Sequence, residues 1–256
     1  MKAMIFAAGL GTRLRPLTDH MPKALVPVAG VPMLQRVILR LKEAGFHDIV
    51  INIHHFGEQI LDFLKANDNF GVRILISDER GELLDTGGGI LKARPLLDDG
   101  EPFLIHNADI LTHIDLAAFY RHHVESGADA TLLTNHRQTA RYLLADTDNR
   151  LCGWVNKSTR ETLPAGTVYT EGRYNELAFG CVHVLSPSIF NYMGSDRWNG
   201  KFSIIPFYID ICRQARIQCY PIDTEGWFDV GKPETLAQAD AYYRKVNLKS
   251  ATTRLI

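Results

Sequence analysis

Hydrophobic positions in the first half of the chain alternate between two spacings, and the alternation predicts a fold class. Residues 3–8 form a short, continuously apolar run of strand length. Met33, Leu34, Val37, Ile38 and Leu41 then recur at helical spacing, with Gly45 as a stop signal. The same alternation continues as strands over 48–53, 72–77, 103–107 and 129–134. Helices fall between them over 58–65, 89–97 and 116–125, the middle one closed by Pro95 and its neighbours. Strands separated by helices imply right-handed crossovers and parallel pairing. The predicted class is α/β: a Rossmann-like, mostly parallel (mixed) sheet flanked by helices. Such sheets bind ligands outside the carboxyl ends of their strands. The loops after Ala8, Ser77 and Asn107 are therefore the places to search.

The second half reads differently. Strands are predicted over 142–145, 151–155, 178–185 and 217–222, with a polar segment over 156–176. Helices are predicted over 202–213 and 233–246, the last opening on a proline. Residues 1–140 form the expected core and 141–256 a smaller lobe that completes the same sheet. Residues 247–256 are expected to fray.

Composition narrows the function classes. With 256 residues, 46% of them hydrophobic, the chain can bury a large core. A net charge of −1 gives no global electrostatic case for nucleic acid or an anionic membrane. A few local cations can still hold a small anionic substrate. No apolar run reaches the roughly 20 residues of a membrane helix, and residues 1–8 lack a small-residue cleavage site. The four cysteines form no C-x-x-C pair, so reduced, mostly buried thiols in a cytoplasmic protein are expected.

The strongest local signal follows the first strand: Ala7-Ala8-Gly9-Leu10-Gly11-Thr12-Arg13-Leu14-Arg15-Pro16. Gly9 and Gly11 let phosphate oxygens approach backbone amides. Arg13 offers a planar fork to phosphate, and Lys23 in Pro22-Lys23 adds a point charge. The run is no P-loop, and Leu14 stands where a dinucleotide fingerprint needs its third glycine. Asp109 lies at the end of an apolar strand, where a carboxylate projects into the ligand crevice.

These residues resemble the sugar-phosphate nucleotidyltransferases, or NDP-sugar pyrophosphorylases. Gly9 to Leu14 with Pro22-Lys23 resembles the signature loop. Asp85-Thr86-Gly87-Gly88-Gly89 resembles the base-recognition segment, Asn107-Ala108-Asp109 the metal-site strand end, and Trp227-Phe228-Asp229-Val230-Gly231 the second metal carboxylate. The ordered match spans roughly residues 2–240. The Asp-Thr-Gly-Gly-Gly form and the short length are most similar to the N-acetylmuramate 1-phosphate uridylyltransferase branch.

The resemblance implies a nucleotidyltransferase (GT-A-like) fold with a sugar-binding second lobe. It also implies a reaction in which a sugar 1-phosphate attacks an NTP, UTP by preference, and releases pyrophosphate. Mg²⁺ would sit on Asp109 and Asp229, with Arg13 on the departing pyrophosphate and Lys23 on the α-phosphate. Ala8, Gly9, Gly11, Thr12, Thr86, Gly88 and Asn107 would line the nucleotide site. Lys157, in Asn156-Lys157-Ser158 where the family carries Glu-Lys-Pro, would hold the sugar phosphate. Asn175 or Glu176 would replace the missing glutamate's contact. Lys201 reads as a surface charge, the His54-His55 and His122-His123 pairs as structural, and Tyr242-Tyr243 as packing. The partners are small-molecule substrates, and a homodimer is compatible with the sequence. Alternatives are a GTP- or dTTP-dependent transferase, a phosphocholine cytidylyltransferase-like enzyme, a non-catalytic regulatory subunit and an NAD-dependent oxidoreductase.

Overall fold

A computed structural model describes residues 1–253, with side chains described to residue 246. The first half runs β1 (Lys2–Phe6), the small hairpin β2 (Pro27–Val28) and β3 (Val31–Pro32), α1 (Met33–Glu43), β4 (Asp48–Ile53), α2 (Gly57–Ala66), β5 (Arg73–Asp78), α3 (Asp85–Leu97), β6 (Phe103–Asn107), β7 (Ile110–Leu111), α4 (Leu116–Ser126) and β8 (Ala130–Asn135). The second half runs β9 (Arg141–Ala145), β10 (Leu151–Asn156), β11 (Glu161–Leu163), β12 (Asn175–Leu185), α5 (Ile204–Ile211), β13 (Ile217–Ile222), β14 (Phe228–Asp229) and α6 (Pro233–Thr253).

A ten-stranded mixed sheet carries the molecule, in the order β11-β10-β9-β12-β6-β1-β4-β5, with β8 against β12 and β13 outside β8. Strands β6, β1, β4 and β5 pair in parallel, as do β8 and β13. Every pairing of β12 is antiparallel, as are those of β10 with β9 and β11. The long strand β12 joins the halves, because it pairs with β6 on one side and with both β8 and β9 on the other. It manages this through a register shift between Phe179 and His183, where Cys181 takes a positive φ of 57°.

Burial on both faces explains why the central strands read as unbroken apolar runs. In β1, Ala3 and Ile5 pack against α1 residues such as Leu34 and Ile38, while Met4 packs toward Ile90, Phe103 and Phe207. Helix ends follow local chemistry. Asp115 accepts the Ala118 amide at 2.8 Å to cap α4, and Gly127 closes that helix at φ 61°.

Two helices depart from expectation. Helix α3 starts at Asp85, four residues before the expected Gly89, and Pro95 lies inside its last turn rather than ending it. The early start rests on a distant partner: the Gly87 and Gly88 amides donate to the Phe202 carbonyl at 2.9 and 3.1 Å. Helix α6 runs past the expected Val246 to Thr253. The fraying expected over 247–256 concerns residues that lie, wholly or by their side chains, outside those described. Among the described residues, no helix is long and apolar enough to cross a membrane.

Candidate active site

Register across the parallel strands sets a row of residues along one edge of the sheet. Phe6 pairs with both Asn52 and Asn107, and Asn52 pairs with Ser77. Just beyond these carboxyl ends lies a cavity of about 440 Å³, the position the strand-end rule predicts. Of the residues expected at the site, Ala8, Gly9, Gly11, Thr12, Arg13, Lys23, Thr86, Asn107 and Asp109 line it.

The loop after β1 is shaped by its two glycines in different ways. A Cβ on Gly9 would meet nothing within 4 Å, so this position faces open cavity. Gly11 sits at φ 66°, and a Cβ there would come within 2.9 Å of Thr18 Cγ2 and 3.0 Å of Lys23 Cβ. Only glycine fits that angle and that space. The Gly11 carbonyl is pinned by the Leu14 amide at 2.9 Å and the Thr18 hydroxyl at 2.8 Å.

Lys23 and Asp109 form an ion pair. Asp229, 120 positions further on, is brought to the same place by a two-stranded ladder. Strand β14 pairs with β7, Asp229 lies opposite Ile110, and the Val230 amide donates to the Asp109 carbonyl at 2.9 Å. Burial raises the Asp229 pKa above the ordinary carboxylate range, and the like charge of Asp109 raises it further, against Lys23, Arg13 and Arg137. Gly231 leaves room beside it: a Cβ there would lie 2.7 Å from Arg13 Nη2 and 2.8 Å from Asp229 Oδ1. Arg13 thus reaches the carboxylate side of the cavity. Cys181, at the β12 bulge, is half-buried within electrostatic reach of both aspartates, and its thiol is pushed up to about 12, by desolvation first and the two carboxylates second.

Can this donor set hold a cation? Among the described residues, no group of three or more His, Cys, Asp and Glu forms a ready cage. Two carboxylates converge, offering oxygen only, and their mutual repulsion is what a cation relieves. An incomplete all-oxygen set suits Mg²⁺, which keeps several waters and binds substrate phosphates through the rest of its shell.

Four expected residues lie outside the cavity lining: Asp229, which stands behind Gly231 at its edge, and Gly88, Lys157 and Asn175. The Gly88 amide is committed to Phe202, and a Cβ there would stand 2.0 Å from the Gly200 carbonyl oxygen, so this glycine serves close packing. Lys157 pairs with Glu176 at 2.5 Å, and its ammonium sits 5.2 Å from the Tyr142 ring centroid. The Glu176 hydrogen bond holds the Lys157 pKa above its ordinary value. Tyr142 in turn lies within electrostatic reach of Arg137, and Arg137 within reach of Asp229. Asn175 donates to the Asp146 carbonyl at 3.0 Å and holds the start of β12 instead of facing the cavity.

Asn52, Glu79 and Leu83 also line the cavity and escaped the sequence reading, while Asp85 was included only within the base-recognition segment and Lys201 was read as a surface charge. Asn52 had a signal, as the polar residue in the apolar run Ile51-Asn52-Ile53 at a strand's carboxyl end. Lys201, ahead of a helix, read as a surface charge because the Gly87 and Gly88 contacts that draw its loop to the cavity are far away in sequence. Arg137 was also missed. It stacks 4.5 Å from the Trp227 ring centroid and donates to the Phe179 carbonyl at 2.9 Å.

Residues 2–246 match the Nucleotidyl transferase family. The chain belongs to that family. Two N-acetylmuramate α-1-phosphate uridylyltransferases are similar to this nucleotidyltransferase over nearly their whole lengths. The one from Neisseria meningitidis serogroup B is 37% identical over 94% of this chain and 97% of its own. The one from Caulobacter vibrioides is 33% identical over 93% and 95%. Among solved structures, a UDP-glucose pyrophosphorylase complexed with UDP-glucose superposes with a TM-score of 0.74 at 20% identity, covering 95% of this chain and 98% of the other. At that identity the likeness establishes the fold.

Proposed function

We propose that this nucleotidyltransferase joins UTP to an N-acetylated amino-sugar 1-phosphate of the N-acetylmuramate type and releases pyrophosphate. The observation that carries the reading is the β7–β14 ladder, which sets Asp229 beside Asp109 at the mouth of a glycine-lined cavity with Arg13 and Lys23 at hand. The two uridylyltransferase relatives, matched end to end, support the choice of substrates.

The chemistry asks for no general base. A sugar 1-phosphate has a second pKa near ~6 and is largely dianionic at neutral pH, so its oxygen is already a nucleophile. The barrier is repulsion between that anion and the triphosphate, and catalysis is charge neutralisation with in-line positioning. Mg²⁺ held by Asp109 and Asp229 supplies part of that neutralisation when bound. Arg13 takes the departing pyrophosphate. Lys23 leaves Asp109 for the α-phosphate. The open face at Gly9 admits the nucleotide beside the loop. Residues 1–140 act as the nucleotide core and 141–256 as the sugar lobe, where Lys157 meets the acceptor phosphate after leaving Glu176. The reaction belongs in the cytoplasm.

A pyrophosphate-release screen tests the reading. UTP, GTP, dTTP and CTP are each paired with a panel of sugar 1-phosphates and with phosphocholine, with and without Mg²⁺. Best turnover is expected from UTP with an N-acetylated amino-sugar 1-phosphate in the presence of Mg²⁺. Folded protein that turns over no pair defeats the catalytic claim.

A further inference from the structure

Two buried side chains that the proposed chemistry leaves unassigned link opposite walls of the cavity. Asn52, in β4, is 2% exposed, and its Oδ1 accepts the Ala7 amide at 2.7 Å and the Ala8 amide at 3.3 Å. Those two amides begin the phosphate loop. Because two backbone donors fix that oxygen, the Asn52 amide nitrogen has to face the other way. There it donates to Glu79 Oε1 at 2.8 Å. Glu79 is fully buried, and its second oxygen, Oε2, accepts the Leu84 amide at 3.1 Å, directly before α3. Four hydrogen bonds therefore run unbroken from the phosphate loop to the turn that leads into the glycine-rich segment.

The surroundings make room for this link. A Cβ on Gly89 would lie 2.9 Å from Glu79 Oε1 and 2.9 Å from Phe6 Cε1, so the glycine lets the carboxylate reach Asn52. Both hydrogen-bond partners of Glu79 are neutral. Burying a carboxylate against neutral donors is costly, and an apolar residue would fill the space without that cost. Glu79 supplies there two acceptors, one for Asn52 and one for the Leu84 amide, that an apolar side chain would lack.

We infer that Asn52 and Glu79 are positioning residues. They hold the Ala7–Ala8 amides and the Leu84 turn at a fixed spacing across the cavity, so that the nucleotide enters a preformed slot. The identity of the nucleotide rests on the proposed function; the link itself does not.

The polarity of the chain of bonds supplies the test. Asn52→Asp keeps the bonds to Ala7 and Ala8 but turns a carboxylate oxygen toward Glu79. Glu79→Gln has one donor too many, facing either Asn52 or the Leu84 amide. The double variant Asn52→Asp/Glu79→Gln restores all four bonds with the middle one reversed. Its new carboxylate accepts from Ala7, Ala8 and the new amide, whose oxygen accepts from Leu84. Net charge is unchanged.

Affinity for UTP is measured by calorimetry on each full-length protein, without a sugar 1-phosphate, so the result does not depend on turnover. Each single variant is expected to bind UTP at least about tenfold more weakly than wild type, and the double variant to return within about threefold. A double variant as weak as the worse single variant overturns the inference, because a group that touches the ligand directly is not rescued by a swap. Single variants that bind like wild type overturn it too. Should a single variant fail to fold, the double variant still decides against wild type. Wild-type protein that binds UTP but turns over no sugar 1-phosphate refutes the proposed reaction alone. Wild-type protein that binds neither UTP nor GTP refutes both.

Discussion

At the scale of single residues, the site is a problem of like charges held close. Asp229 is disfavoured in its charged form by burial and by Asp109. Replacing it by Asn removes that penalty along with a cation ligand. Asp229→Asn is therefore expected to melt no lower than wild type at neutral pH without Mg²⁺, yet to lose on the order of a hundred- to a thousandfold in turnover. A thermal melt and a rate assay on one preparation check both halves, and wild-type turnover would refute the metal assignment. Buried histidines make a second residue-scale prediction. Burial lowers the pKa of His106 and His123 to about 4 and of His183 to about 3, from 6.5. Their folded pKa values lie below the unfolded ones, so the unfolded chain binds more protons between the two. Stability is complete above about pH 6.5 and is lost as pH falls toward the folded values. Urea melts at pH 7.5 and pH 5 are expected to differ by about 1–2 kcal/mol for each such histidine. A flat profile would show that these imidazoles are not held neutral. Residue types announced much of the site: glycines, an arginine and a lysine after the first strand, and an aspartate at a strand end. What they could not announce was commitment to another partner, as with the Gly88 amide, the Lys157 ammonium and the Asn175 side chain.

At the scale of elements, periodicity revealed what is long and regular. Strands β4, β6 and β13 have the bounds that the sequence predicts, and in β4 and β6 burial on both faces leaves an uninterrupted signal. The two-residue strands β7 and β14 carry no period at all, and they are what joins the two aspartates. Their pairing was reachable only through the family resemblance. Helix α3 shows the same limit: three glycines argue against a helix locally, and packing against Gly200 and Phe202 overrides that preference. The two kinds of glycine are separable by experiment. Gly88→Ala drives a methyl into the Gly200 carbonyl and is expected to cost about 2–3 kcal/mol in chemical denaturation, with a raised nucleotide KM as the Lys201 loop shifts. Gly9→Ala meets open space and is expected to keep stability within about 0.5 kcal/mol while weakening nucleotide binding. Equal stability losses in the two variants would contradict this division.

At the scale of the whole molecule, one strand explains how two halves with different patterning act as a unit. Strand β12 pairs with the parallel nucleotide half through β6 and with the antiparallel half through β9, and its bulge brings Cys181 within electrostatic reach of both aspartates. The alternation of strand and helix gave the parallel half directly. The antiparallel half was legible as strands but not as an arrangement, since the partners of β12 lie far away in sequence and leave no spacing signal. The central claim about the molecule is that an oxygen of the sugar phosphate takes the α-phosphorus of an NTP and displaces pyrophosphate. Phosphorus NMR of the reaction between UTP and N-acetylmuramate 1-phosphate carrying heavy oxygen in its phosphate tests it most directly. The account predicts a new diphosphate product with one labelled oxygen bridging its two phosphorus atoms, and unlabelled pyrophosphate. Absence of that product, or label in the pyrophosphate, would contradict it.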